Sequence, residues 1–329
     1  MIKHTRFLSA LAVAALLSFA VAACGDDDAD SSGGSQDASS SSGGDLSGKI
    51  TIDGSSTVGP FTEAAAELFN EDNPDVKVTV GISGTGGGFE KFCAGETDIS
   101  DASRAIKPDE EAPVCKKNNV TYGEVQIAND GIAVTTNPAL KLDCITTAQL
   151  KQLWNKGSKV SKLSEIDPKL PGTKLSLYGP GTDSGTFDFF TGAINGEEGV
   201  SRKDYEASED DNQLVTGVEG DKGGFGYFGF SYYEGAQDKL NLVGVDDGSG
   251  KCVKPSKESI QDGSYKPLSR PLFMYPSEKA MARPEVKAFM EFTVAQAAKI
   301  AEAAKIVPLT PEQVTKANSE LAKAESGAG

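Results

Sequence analysis

Histidine is almost absent from this chain of 329 residues: the single one is His4, inside an apolar N-terminal leader. Without imidazole beyond that leader, Ser-His-Asp and Cys-His arrangements have no base, and zinc sites that need imidazole have no ligand. Ordinary hydrolase chemistry is thereby disfavoured. Basic runs are missing too. Once residues 1–23 are set aside with Lys3 and Arg6, 30 basic residues stand against 48 acidic ones, a net charge of −18. Nucleic acid is therefore not an expected partner, and a small anion would have to be held by local hydrogen bonds against the global field. No Cys-x-x-Cys spacing occurs, which makes a metal site the weaker reading of the cysteines. The glycine-rich "SGTGGGF" has no lysine after its glycines and misses the G-x-G-x-x-G spacing, so neither a Walker loop nor a dinucleotide fingerprint is present. No cofactor is expected. Repeats at solenoid spacing are likewise missing.

What is present begins with the leader. Lys3 and Arg6 precede an apolar run, Phe7 to Ala23, that ends in "VAAC" and gives way at once to "GDDDADSSGGSQ". That pattern reads as an export signal, and the small residues before Cys24 resemble a lipobox, which makes Cys24 the expected lipidated start of the mature chain. Residues 24–48, almost all Ser, Gly and Asp, cannot bury enough surface to offset ordering entropy and read as a disordered tether. Four further cysteines, Cys93, Cys115, Cys144 and Cys252, suggest two disulfides in an exported chain, with three connectivities open.

From Lys49 onward, strand-like and helix-like runs alternate. "KITID" (49–53), "VKVTVGI" (76–82), "DGIAVTT" (130–136), "KLSLYG" (174–179), "GGFGYFGFSYY" (223–233) and "RPLFMY" (270–275) read as strands. Between them, Phe61, Ala65, Leu68 and Phe69 share one helical face, as do Phe89, Phe92 and Cys93, and Phe187, Phe190 and Ile194. Residues 283–305 read as one long amphipathic helix with Pro284 in its first turn. The alternation predicts an α/β fold with mainly parallel sheets.

Three stretches share one design, a strand, a Gly/Ser/Thr turn and a helix: "DGSSTVGPF" (53–61), "GISGTGGGF" (81–89) and "GTDSGTF" (181–187). A helix N-terminus carries unpaired N–H groups and partial positive charge, so such turns suit an anion. Each alone could be no more than an N-cap satisfying its own helix. A fourth stretch, "GETDISDASRAI" (95–106), adds Asp101, Ser103 and Arg104. The planar fork of arginine matches tetrahedral oxyanions. An aspartate beside a bound anion makes sense if the ligand carries a proton: hydrogen phosphate can donate to a carboxylate, whereas sulfate would meet an unmatched acceptor.

The order "DGSSTV…SGTGGGF…GETDISDASRAI…DGIAV…TDSGTF…GGFGYFGF…SRPLFMY" resembles the phosphate-binding lipoproteins of bacterial high-affinity phosphate ABC transporters, from about Lys49 to the C-terminus. The resemblance implies a two-lobed periplasmic-binding-protein fold, type II-like, with two chain crossovers and the ligand in the interlobe cleft. It implies ligand contacts from Ser56, Thr57 and the backbone of Val58; from Ser83, Thr85 and Gly86; from Asp101, Ser103 and Arg104; and from Asp183, Ser184, Gly185 and Thr186. Many members carry an arginine four residues before the serine of the last turn, where this chain has Pro180, and an aspartate where it has Ser103. Arg104 is then the expected guanidinium, and the proton acceptor lies between Asp183 and Asp101, with Asp183 favoured because it adjoins the phosphate turn.

The resemblance also places crossovers near Thr135 and Leu268, giving lobe I as 49–134 plus 268–329 and lobe II as 135–267. Pairing within lobes, Cys93–Cys115 and Cys144–Cys252, would leave closure free. The implied function is an exported, membrane-anchored, monomeric receptor that captures phosphate and hands it to permease subunits. Rival readings are a receptor for sulfate, molybdate or a related oxyanion, a phosphoesterase using Ser184, and a surface interaction or adhesin role.

Overall fold

The computed structural model describes residues 46–327; the export segment, Cys24 and all but the last residues of the tether lie outside the described residues. The folded part starts slightly earlier than expected, with Leu46 already packed on a core and the first strand opening at Gly48.

Eleven strands are described: β1 Gly48–Gly54, β2 Val76–Ile82, β3 Ile99–Ala102, β4 Val125–Thr136, β5 Cys144–Thr146, β6 Ser176–Pro180, β7 Glu206–Ser208, β8 Gly224–Gly229, β9 Asn241–Asp246, β10 Cys252–Val253 and β11 Ser269–Pro276. They are joined edge to edge in the order β2-β1-β3-β11-β4-β8-β6-β7, with β9 attached to β4 and carrying β5 and β10. The fold is α/β, but the sheets are not mainly parallel. β1–β2, β1–β3, β5–β9, β6–β7 and β6–β8 are parallel, whereas β3–β11, β4–β11, β4–β8, β4–β9 and β9–β10 are antiparallel. Parallel pairing needs a crossover between neighbouring strands, and alternation of strands and helices does not by itself provide one for each pair. The returning strand β11 and the long strand β4 instead run against their neighbours.

β4 joins the two halves of the molecule. Its first part, through Gly131, pairs with β11, and from Ile132 onward it pairs with β8. Hydrophobic burial divides at the same place. One core gathers Ile50, Ile52, Val58, Phe61, Phe69, Leu272 and Phe289. The other gathers Ile132, Val134, Trp154, Phe190, Phe225 and Tyr227. In the second, the indole of Trp154 meets Tyr227 edge-on at 4.8 Å, and Tyr227 stacks on Phe190 at 3.7 Å.

Local sequence explains most elements. Gly59–Asn70 is a helix because Phe61, Ala65 and Phe69 recur on one face and Pro60 occupies its first turn. Residues 283–305 form not one helix but two, Pro284–Ala295 and Ala297–Ala303, broken at Gln296 with ψ 10°. The apolar pattern runs through the break, so periodicity alone did not reveal it. The aromatic run 223–233 likewise ends as a strand at Gly229 and continues as the short helix Phe230–Glu234. Disulfides join Cys93 to Cys115 and Cys144 to Cys252. Among the described residues no helix is long and apolar enough to cross a membrane.

Candidate functional site

The first turn follows β1. Gly54 has φ 150°, and a side chain there would meet the Asp101 carbonyl oxygen at 2.0 Å, so only glycine lets the chain pass. That close approach allows the Ser55 N–H to donate to the Asp101 carbonyl at 2.9 Å. Ser56 and Thr57 are half-buried at the turn, and Val58, fully buried in the first core, roots it.

The second turn follows β2 and opens the helix Gly84–Cys93. Ser83 is exposed and donates its hydroxyl to Asp53, which also pairs with Lys91 at 2.6 Å. Thr85 reaches the fourth stretch, where its Oγ1 accepts from the Ser103 N–H at 3.1 Å and lies 3.0 Å from the Ser103 hydroxyl. Gly86 is exposed.

The third turn follows β6 and opens the helix Gly185–Phe190. The Ser184 hydroxyl accepts from the Thr186 N–H at 3.2 Å, an N-cap bond. Gly185 lies against the first turn: a Cβ there would meet Thr57 Oγ1 at 2.3 Å, the Thr57 nitrogen at 2.6 Å and Ser56 Oγ at 2.9 Å. The first and third turns are thus in direct apposition, although each belongs to a helix anchored in a different core. A cavity of about 360 Å³ is lined by Ser56, Thr57, Ser184, Gly185 and Thr186, with Asp130, Asp183, Glu209 and Asp211 among its other walls. Ser83, Thr85, Gly86, Asp101, Ser103 and Arg104 do not line that cavity; they lie on the β1–β3 side of the first turn.

The two candidate aspartates differ sharply. Asp183 is exposed, and its N–H donates to Glu209 at 3.3 Å. Asp101 is fully buried on β3; Thr62 donates to its Oδ2 at 2.7 Å, while Oδ1 has no partner. Burial raises its pKa to about 7, opposed by the Thr62 hydrogen bond and assisted by the charge of Asp53. Of the two, Asp101 alone is buried with a carboxylate oxygen left without a partner, whereas Asp183, which adjoins the third turn, lines the cavity from an exposed position.

Arg104 makes a bidentate pair with Glu111, at 2.9 Å from Nη1 and 2.6 Å from Nη2, and lies 5.7 Å from the Phe89 ring centre. Hydrogen bonding to Glu111 raises its pKa, and the charge of Glu198 adds to that. A second guanidinium escaped the sequence reading. Arg270, in the "SRPLFMY" stretch read only as a strand, sends its side chain between the first and third turns: Nη2 donates to Thr57 Oγ1 at 2.6 Å and to the Gly185 carbonyl at 3.3 Å. Burial lowers its pKa, opposed by Asp130 and by the charges of Glu198 and Asp188. An arginine inside an otherwise apolar strand was the available signal. Among the described residues no group of three or more His, Cys, Asp or Glu is placed to hold a metal ion.

Residues 39–297 match the family model described as a PBP superfamily domain. The chain is 43% identical over 280 residues to Protein SphX of Synechococcus elongatus, covering 84% of this chain and 82% of that one. It is 42% identical over 278 residues to the phosphate-binding protein PstS of Staphylococcus saprophyticus, covering 83% and 84%. The chain belongs to the PBP superfamily and to its phosphate-binding protein family. A possible phosphate binding protein from Planctomyces limnophilus, solved by crystallography, superposes with a TM-score of 0.81 at 43% identity, over 85% of this chain and 99% of that one. The family is one of substrate-binding transport proteins, and its two-lobed fold is the fold of this chain.

Proposed function

We propose that this protein is the extracytoplasmic receptor that captures inorganic phosphate and delivers it to the permease subunits of an ABC transporter, without turning it over. The observation that carries the reading is Asp101. A buried carboxylate oxygen with no donor lies beside turns rich in N–H and hydroxyl donors. An anion that brings its own proton satisfies that oxygen; one that does not leaves it unpaired at a cost of about 1–3 kcal/mol. Hydrogen phosphate fits this requirement and sulfate does not.

In this reading the first turn (Ser56, Thr57), the second (Thr85, Gly86) and the third (Ser184, Gly185, Thr186) donate to phosphate. Val58 and Ser83, expected as donors, instead brace their turns: the Val58 N–H donates to the Ser55 carbonyl at 3.1 Å, the Ser83 N–H to the Gly54 carbonyl at 3.1 Å and the Ser83 hydroxyl to Asp53. Ser103 holds Thr85, Arg104 supplies positive charge, and Asp101 accepts the phosphate proton. Asp183 stands at the rim. Lobes of roughly 49–134 plus 268–329 and 135–267 close on the ligand; the change of partners along β4 supports a crossover there, but after Gly131, slightly ahead of the expected Thr135. Both disulfides then fall within lobes. Lipid on Cys24 tethers the monomeric receptor to the outer face of the membrane, a reading supported by the "VAAC" sequence. Titration calorimetry with phosphate and with sulfate at about pH 8, where the Asp101 carboxyl is ionised and can only accept, tests the ligand: tight phosphate binding with sulfate at least about a hundredfold weaker is expected, and equal affinities would overturn the proton argument.

A further inference from the structure

Arg270 contacts parts of the molecule that belong to both cores. Its Nε lies 3.2 Å from Asp130 Oδ2 on β4, beside the point where that strand changes partners. Its Nη2 donates to Thr57 Oγ1 on the first turn at 2.6 Å and to the Gly185 carbonyl on the third at 3.3 Å. Its guanidinium carbon lies 3.8 Å from the ring centre of Phe189, on the helix opened by the third turn. Thr57 precedes Val58 of the first core, and Phe189 precedes Phe190 of the second. One cation is therefore fixed by Asp130 at the junction and grips a residue on either side of the cleft.

We propose that Arg270 is a latch between the lobes, a positioning residue that stabilises the arrangement with the first and third turns facing each other and so slows release of the captured anion. The geometry suits this role. The planar fork reaches two oxygens from one nitrogen while its face rests on an aromatic ring, which an ammonium cannot reproduce. Asp130 takes the Nε side of the guanidinium, which leaves Nη2 to make the bridge. Opening the cleft separates Thr57 from Gly185 and breaks at least one contact, so the latch acts on the open–closed equilibrium. By population shift, weakening it reduces apparent affinity by the fraction of closed molecules lost.

The kinetic part of this inference rests on the phosphate reading above; the conformational part does not. Arg270→Lys keeps the charge beside Asp130 but loses the fork, and Phe189→Leu removes the aromatic rest without touching the arginine. Stopped-flow phosphate exchange and small-angle scattering of the ligand-free protein are read together for wild type and both variants. The expected result is phosphate release accelerated about tenfold in Arg270→Lys and about threefold in Phe189→Leu, association changed less than twofold, and a larger ligand-free radius of gyration in both. Wild-type release rates and unchanged radii in both variants overturn the latch. If the wild type fails to bind phosphate, the functional reading falls, and the ligand-free radii alone decide the latch: expansion supports it and identity overturns it.

Discussion

The Thr62 hydroxyl donates to one oxygen of Asp101 at 2.7 Å and leaves the other oxygen of the buried carboxylate without a partner. This half-satisfied acid predicts how selectivity can be changed. In Asp101→Asn, Thr62 holds the amide oxygen, and the amide nitrogen turns a donor toward the site. Phosphate affinity should fall about tenfold to a hundredfold, the loss of one buried hydrogen bond to a charged group, while sulfate affinity rises. Asp183→Asn, at an exposed position, should leave the ratio of affinities unchanged. Competition calorimetry with the two anions reads both outcomes.

The same carboxyl predicts a pH dependence of stability. Its pKa in the folded protein, about 7, exceeds its ordinary value of 3.8, so between these pH values the folded state holds a proton that the unfolded chain has released. Ligand-free wild type must therefore lose stability relative to Asp101→Asn as pH rises through that window, by on the order of 4 kcal/mol at most. Denaturant titrations of both proteins at pH 4.5 and pH 7.5 give the difference. A wild type that gains on the variant as pH rises would contradict the assignment.

Arg104 and Glu111 separate binding from stability. Their pair is partly exposed, with side-chain accessibilities of 36% and 16%, and pairs of that kind contribute less than about 1 kcal/mol to folding. Arg104→Ala should hardly move the thermal midpoint yet lower phosphate affinity about tenfold or more. Glu111→Gln retains an acceptor for the guanidinium and should cost less than about threefold. Melting curves and binding isotherms of the two variants make the comparison.

The two disulfides should respond differently to a reductant. Cys93 and Cys115 are 1% and 0% exposed, whereas Cys252 is exposed and Cys144 half-buried. Thiol–disulfide exchange needs access to sulfur. Under native conditions Cys144–Cys252 should open first, and Cys93–Cys115 should persist until the protein unfolds. Alkylation followed by peptide mass spectrometry shows the order.

Much of this site could be read from the chain because its chemistry is local. A strand ending in Gly-Ser-Ser-Thr or Asp-Ser-Gly-Thr and followed by an apolar helical face specifies its own turn, and the structure contains all three. Relations across hundreds of residues were harder to read. Arg270 lies 213 positions from Thr57 and 85 from Gly185, and no periodicity ties an arginine in a strand to either. The burial that distinguishes Asp101 from Asp183 depends on Thr62 and on β1 passing beside β3. The antiparallel course of β11 beside β3 likewise follows from the chain's return to its first half, which runs of alternating residues do not encode.

The column that runs from the third turn into the second core has a practical consequence. The helix Gly185–Phe190 begins at Ser184 and ends on Phe190, which stacks on Tyr227, and Tyr227 abuts the chain's one tryptophan, Trp154. The protein thus carries a built-in optical gauge wired to one jaw of its cleft. Excited at the indole band, unlabelled protein should report a displacement of that helix through the emission of this single tryptophan.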